Sequence, residues 1–230
     1  MYGNVRTTMQ QTRINSSRAA RVARGSVTAD AVEETALRIA DTEGLEALSM
    51  RRLAGELGVG VMTLYGHVRT KDELIERISE RAIAELTIPQ KGAWSKRLER
   101  LFTDLRTLLL AHPAVLYADA SRPLSGPGAL RAADATLGML REGGLDGEQA
   151  VAGMSTLIAY TFGSAMFRLH QTTDGTEDYS RHVRGVDPGQ LPNVAAVTAH
   201  LLARGSEAEF AVGLRLIIDG LARQADARKR

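Results

Sequence analysis

Cysteine is missing altogether from the 230 residues. Its absence removes disulfide frameworks, thiolate metal sites and cysteine nucleophiles before any motif is read. A chain without thiols suits a reducing cytoplasm, the expected location. Lysine is nearly absent as well, present only as Lys71, Lys91, Lys96 and Lys229, so arginine carries almost all the positive charge. The forked guanidinium suits phosphates and base edges, although a GC-rich genome produces the same bias. The N-terminus lacks a long apolar run and carries Arg6 and Arg13, which excludes a secretory signal, and the mature chain is expected to begin at residue 1. Only residues 149–167 form a long stretch without charge, and Gln149, Gly153, Ser155, Thr156, Tyr160, Thr161, Gly163 and Ser164 dilute it. It falls short of the ~20 predominantly apolar residues of a membrane span, so no membrane partner is expected. It reads as a helix buried on most sides.

Hydrophobic residues make up 44% and charged residues 24%, the balance of a folded soluble protein with a buried core. The length allows one compact unit or a small domain joined to a larger one. Net charge is only +2, yet Arg6, Arg13, Arg18, Arg21 and Arg24 all precede the first acid, Asp30. Residues 1–27 therefore read as a basic flexible arm, either a solvated tail or a segment that seeks phosphate.

The pattern is helical throughout, without the alternation that marks strands, and the expected fold is all-α. Thr28 has the chemistry of an N-cap, followed by Asp30, Glu33 and Glu34 and by Val32, Ala36, Ile39 and Ala40 on one face, up to Gly44. Ser49 caps a second helix with Leu53, Ala54 and Leu57 inward, and Gly58 is expected to end it in the left-handed region. A third, short helix occupies residues 61–66. Thr70-Lys71-Asp72-Glu73 has the form of a capping box, from which Leu74, Ile78, Ile83 and Leu86 carry a long helix towards Pro89. Longer helices follow: residues 94–110 up to His112-Pro113, a short segment, one ending at Gly143-Gly144, the uncharged helix to about residue 171, and a last pair bracketing Gly205. Residues 172–192 show little periodicity and read as a loop.

The helix from Ser49, the turn Gly58-Val59-Gly60 and the helix after it have the spacing of a helix-turn-helix. Helix pairs with glycine between them are common, so spacing alone is weak. The composition of the third helix adds to it: Thr63, Tyr65 and His67 offer hydrogen bonds, while Val61 and Met62 stand at its N-terminal end, where a recognition helix meets base edges and thymine methyls. Lys71 and the capped start of the fourth helix could hold a phosphate. Against this, Tyr65 could be a core aromatic with a wet hydroxyl, His67 a surface cap, and Arg51 and Arg52 a solvated face.

The stretch LSMRRLAGELGVGVMTLYGHVRTKDELIERI, residues 48–78, resembles the DNA-binding domain of the TetR family of bacterial transcriptional repressors. Leu64-Tyr65 with His67 and Lys71 is its most specific part. Trp94, HPAVLYADASRP and GSEAEFAVGLRLIIDGLARQ resemble the regulatory domain of the tetracycline-responsive members, so the likeness runs from Thr28 over most of the chain. It implies a helix-turn-helix domain at 28–75 and a helical ligand-binding and dimerisation domain at 76–230. It also implies DNA contacts by Ser49, Arg51, Val61, Met62, Thr63, Tyr65, His67 and Lys71. Val61 and Met62 depart from the polar residue and proline of the tetracycline repressor, which argues against a shared operator.

The resemblance further implies a homodimer built as a four-helix bundle. Gly213, Ile217, Gly220 and Gln224 form one stripe of the last helix, with Phe210, Leu214, Ile217 and Leu221 beside it. Gly153, Thr156, Tyr160, Gly163 and Phe167 form a second seam, and both stripes face either a twin or their own core. Taken singly, Phe102, Leu105, Tyr117, Met139, Met154, Phe162, Met166, Phe167 and His170 each read first as plain core, and as a set they are candidates for an apolar effector site with few polar anchors. Where the tetracycline repressor ligates metal this chain has Ala118 and Phe167, and Leu101 and Leu105 replace its ligand-binding Asn and Phe. No metal, cofactor or chelated tetracycline is therefore expected. The resulting expectation is a repressor, not an enzyme, that binds a palindromic double-stranded operator as a dimer and is released by a small, largely apolar effector. The alternative is a DNA-binding dimer controlled by a protein partner or constitutive. A helical enzyme ranks last, because no catalytic constellation is visible and His112, His170, His182 and His200 lie far apart in sequence.

Overall fold

A computed structural model describes residues 27–121, 126–170 and 175–227. Apart from Val27, the basic arm falls outside them, as do Arg122 and Pro123 and residues 171–174. The described residues form helices and no strand.

The N-terminal helices end where their cap residues say. Helix α1, Ala29–Glu43, starts at Thr28, whose hydroxyl accepts from the Ala31 amide, and buries Val32, Ala36, Ile39 and Ala40. Ser49 caps α2, Met50–Leu57, by accepting from the Arg52 amide. Gly58, at φ 67° and ψ 30°, closes it. Its N–H reaches Gly55 O and that of Val59 reaches Ala54 O, a Schellman close in which a side chain would be strained. Helix α3, Val61–Tyr65, is a single turn held by fully buried Leu64. Helix α4, Lys71–Ala84, begins at Thr70, which accepts from the Glu73 amide. The Glu73 carboxylate returns to the Arg69 amide, 2.8 Å away, one residue earlier than the usual capping box. Leu48, Leu53, Leu64, Val68, Leu74 and Ile78 join the α1 residues in one core.

The rest is a bundle of α5, Trp94–Ala111, α6, Pro113–Ser121, α7, Pro127–Glu142, α8, Gly147–His170, and the last long helix, Glu207–Ala227. Helix α8 packs on α5, α7 and that last helix, while α4 packs on α6 and α7, and α1 on α6. Length and a mean hydropathy of 1.3 bring α8 to the level of a membrane-crossing helix, contrary to the composition argument. The other expectation for it is also only half met: Ala150, Gly153, Leu157, Thr161, Ser164 and Ala165 are buried, whereas Val151, Ala152, Ser155 and Ala159 on the opposite side are exposed.

Residues 172–192 hold a helix that periodicity missed: α9 spans Gly175–Arg184, followed by α10, Pro192–Ala196, and α11, Thr198–Leu202. Glu177 and Asp178 in the first turn of α9 and Arg181, His182 and Arg184 in the last complement its dipole, and Arg181 pairs with Asp178 at 2.6 Å. Of the described α9 side chains only Val183 is buried, so no apolar stripe marked it. The last long helix is α12.

Candidate functional site

Helices α2 and α3 present one contiguous exposed surface. Met62 is 80% exposed and Tyr65 47%; Ser49, Arg51 and Thr63 are exposed, and Val61 and His67 half-buried. Core aromatic is thus excluded for Tyr65, while Leu64 on the opposite side of the same turn is the core residue. Arg52 faces elsewhere, bridging Glu43 at 2.7 Å and Glu56 at 2.6 Å, and these two carboxylates raise its guanidinium above the ordinary range. Glu56 is also held by Arg38, and the two guanidinium groups lower its carboxyl pKa. Lys71 is half-buried and donates to Leu45 O at 2.9 Å, which ties the start of α4 to the α1–α2 connection and leaves two of its three N–H groups to spare. Arg69, passed over in the sequence, is exposed beside the capped start of α4; its signal was a cation one residue before an N-cap.

The effector candidates divide by position. Phe102 and Met139 are closed into the core. Met154, Phe162 and Met166 lie on α8 with Ile158, four residues apart, and with Leu105 of α5 they are half-buried against that core, a continuous apolar strip. Tyr117, Phe167 and His170 stand at the surface. Phe167 is 54% exposed under the Arg204 guanidinium, 4.7 Å from its ring centre, and His170 Nδ1 lies 2.8 Å from Met166 O of its own helix. Two open hollows, about 510 Å³ beside Glu177, Ser180, Arg181 and Arg184 and about 720 Å³ beside Gly138, Arg141, Glu142 and Gly144 to Gly147, are lined by none of these candidates. Ala118 is buried hydrocarbon and Phe167 an exposed ring, so these positions do not fit the metal of a chelated ligand.

Sequence reasoning also missed a buried cation. Arg106 on α5 is 6% exposed; its Nε donates to Ser164 Oγ at 3.0 Å and a terminal nitrogen to Gly205 O at 2.5 Å. The guanidinium sits 5.0 Å from the Phe210 ring, on which Tyr160 stacks. Burial, with the charge of Arg168, lowers its pKa, and burial together with Glu209 raises that of Tyr160. A lone arginine in an amphipathic helix has no mark in a sequence that tells it from a solvated one.

Each glycine seam is partly consumed within the chain. A side chain at Gly213 would overlap the Tyr160 hydroxyl, one at Gly153 would press on Leu221, and Phe210 and Leu214 are buried. Gly163 and Gly220 face open space. The free apolar surface lies one step round each helix, at Val151, Ala152, Ser155 and Ala159 of α8 and at Val212 and Leu216 of α12, the last two 55% and 64% exposed.

Residues 34–78 match the family described as bacterial regulatory proteins, tetR family. Residues 88–225, more than half the chain, match the tetracyclin repressor-like C-terminal domain. The chain belongs to the TetR family. Among its relatives, the HTH-type transcriptional repressor DrrR1 of Streptomyces coeruleorubidus is 31% identical over 95% of this chain and 86% of its own length. The class E tetracycline repressor of Escherichia coli is 30% identical over 87% of this chain and 93% of its own. Among solved structures, apo ActR of Streptomyces coelicolor superposes with a TM-score of 0.79 at 31% identity, covering 90% of this chain and all of that one. The first two of these relatives are named as repressors.

Proposed function

We propose that this TetR-family regulator is a ligand-responsive repressor, binding a palindromic operator as a homodimer through α3 and released by a small, largely apolar effector. The exposed Met62-Thr63-Tyr65 face of α3 carries the reading. A methionine 80% in water on a single-turn helix has no packing role, and an apolar group beside a hydroxyl is what reads thymine methyls and base edges. Ser49, Arg51, Val61 and His67 complete the base-facing surface, with Arg69 and Lys71 on the phosphates. The Leu105, Met154, Phe162 and Met166 strip supports the effector half, as does ActR, whose structure is known in complex with actinorhodin. Selection from a random duplex library tests the reading, with a palindrome as the expected product. Met62→Ala is then expected to change base preference within one half-site, by about 1–3 kcal/mol at the affected pair. Arg69→Ala should weaken all sequences and flatten the salt dependence. A library that enriches no palindrome, or a Met62→Ala protein with unchanged preference, would overturn direct reading by α3.

A further inference from the structure

Helices α6 and α7 both begin with proline, at Pro113 and Pro127, and a proline at the first position supplies no N–H. The first amides left over are those of Ala114 and Gly128. Neither helix carries a serine, threonine or aspartate cap of its own: His112 precedes α6, and Gly126 precedes α7 without a side-chain cap bond. Both amides are instead taken by acids from the N-terminal helices. Asp41, in the last turn of α1, accepts from Ala114 N–H through one oxygen at 3.2 Å, and its other oxygen meets His112 Nδ1 at 2.7 Å. It thus grips the end of α5 and the start of α6 together, in a site mostly shielded from water. Glu80 on α4 accepts from Gly128 N–H, and the absence of side chains at 126 and 128 makes room for it, since a Cβ at either would overlap its carboxylate. Arg77 and Arg81 of α4 pair with Glu33 and Asp30 of α1, so the two acids stand on one body.

We propose that Asp41 and Glu80 are positioning residues that set the orientation of the DNA-reading helices on the regulatory bundle, each by capping a proline-initiated regulatory helix. Two attachment points remove the rotation that one would leave. Any shift of α6 or α7 is carried to α1 and α4, and through them to the separation of the two recognition helices. That last consequence rests on the operator reading above; the orientation itself does not, and it is measured without DNA or effector.

The composition offers the tool, because the chain has one tryptophan, Trp94 at the start of α5, and no cysteine. Gly55 on α2 is exposed with open space around it. Gly55→Cys labelled with an aedans acceptor permits time-resolved transfer from Trp94, and amide exchange reads Ala114 and Gly128 directly. Asp41→Ala and Glu80→Ala are each expected to broaden or shift the distance distribution and to speed exchange at their own capped amide at least tenfold. Asp41→Asn, which keeps an acceptor for Ala114 N–H, should restore the parent distribution. If Asp41→Ala does not fold, His112→Ala is measured in the same way, with the same expectation of a changed distribution. An unchanged distribution in the foldable variants, or faster amide exchange with the distance unmoved, would overturn the proposal and reduce the two acids to local caps.

Discussion

At the scale of single residues, the contrast between the glycines of α12 shows how one residue type serves opposite surroundings. Gly213 is small because the Tyr160 hydroxyl occupies the place of its side chain, donating towards the Glu209 and Phe210 carbonyls at 3.3 and 3.2 Å. Gly213→Ala is therefore expected to destabilise the fold by about 1–3 kcal/mol, the cost of overpacking, read as a lower urea midpoint at unchanged slope. Tyr160 makes a second prediction. Burial raises its pKa, so the folded state holds the phenol proton more tightly than the unfolded chain does. That contribution is complete below about pH 10, the ordinary phenol value, and is lost as pH rises through the higher folded value. Stability should fall on that limb more steeply for the parent than for Tyr160→Phe, in denaturant titrations between pH 8 and 12. Parallel curves would remove Tyr160 from the account.

The elements were legible wherever a local rule and the global fold asked for the same residue. Thr28, Ser49, Gly58 and Thr70 each perform the cap that spacing assigned to them, because a cap needs only neighbours in sequence. Gly58→Ala would keep the residue in the left-handed region at a cost of about 1–2 kcal/mol, and it should lower the melting temperature and loosen α3 against α2. What stayed hidden depends on partners far along the chain. The caps of α6 and α7 come from Asp41 and Glu80, 73 and 48 residues away, and nothing in a lone acid on an amphipathic helix announces such a use. Helix α9 lay hidden for a different reason: its support is charge against its own dipole, where periodicity looks for apolar spacing. On α8, composition grouped Met154, Phe162, Met166 and Phe167 as candidates, and composition does not separate the half-buried ring of Phe162 from the exposed ring of Phe167.

For the whole molecule, the question is what covers the apolar surface that α8 and α12 leave in water. The two helices run antiparallel, with Gly153 beside Leu221, Tyr160 beside Gly213 and Gly205 beside Arg168. Their exposed sides, Val151, Ala152, Ser155 and Ala159 with Val212 and Leu216, therefore form one surface two helices wide. A second copy related by a two-fold axis would meet it with the same surface and make four helices, and it would also give the pair of reading heads that a palindrome requires. Gly163 and Gly220, open on this chain, would let backbones approach there. Because a two-fold interface repeats every contact, Leu216→Glu would remove two buried leucines, each contributing about 1.5–3 kcal/mol, and would set two like charges near the axis. The expected result is a monomer in sedimentation at micromolar concentration, with helicity retained and operator affinity lost. Leu130→Glu is the control, since Leu130 is similarly exposed, at 60%, but lies on α7 away from this surface. It should leave the mass unchanged. A Leu216→Glu protein that still sediments as a dimer would place the interface elsewhere, and a dimer lost in both variants would mean that exposure alone, not this surface, governs assembly.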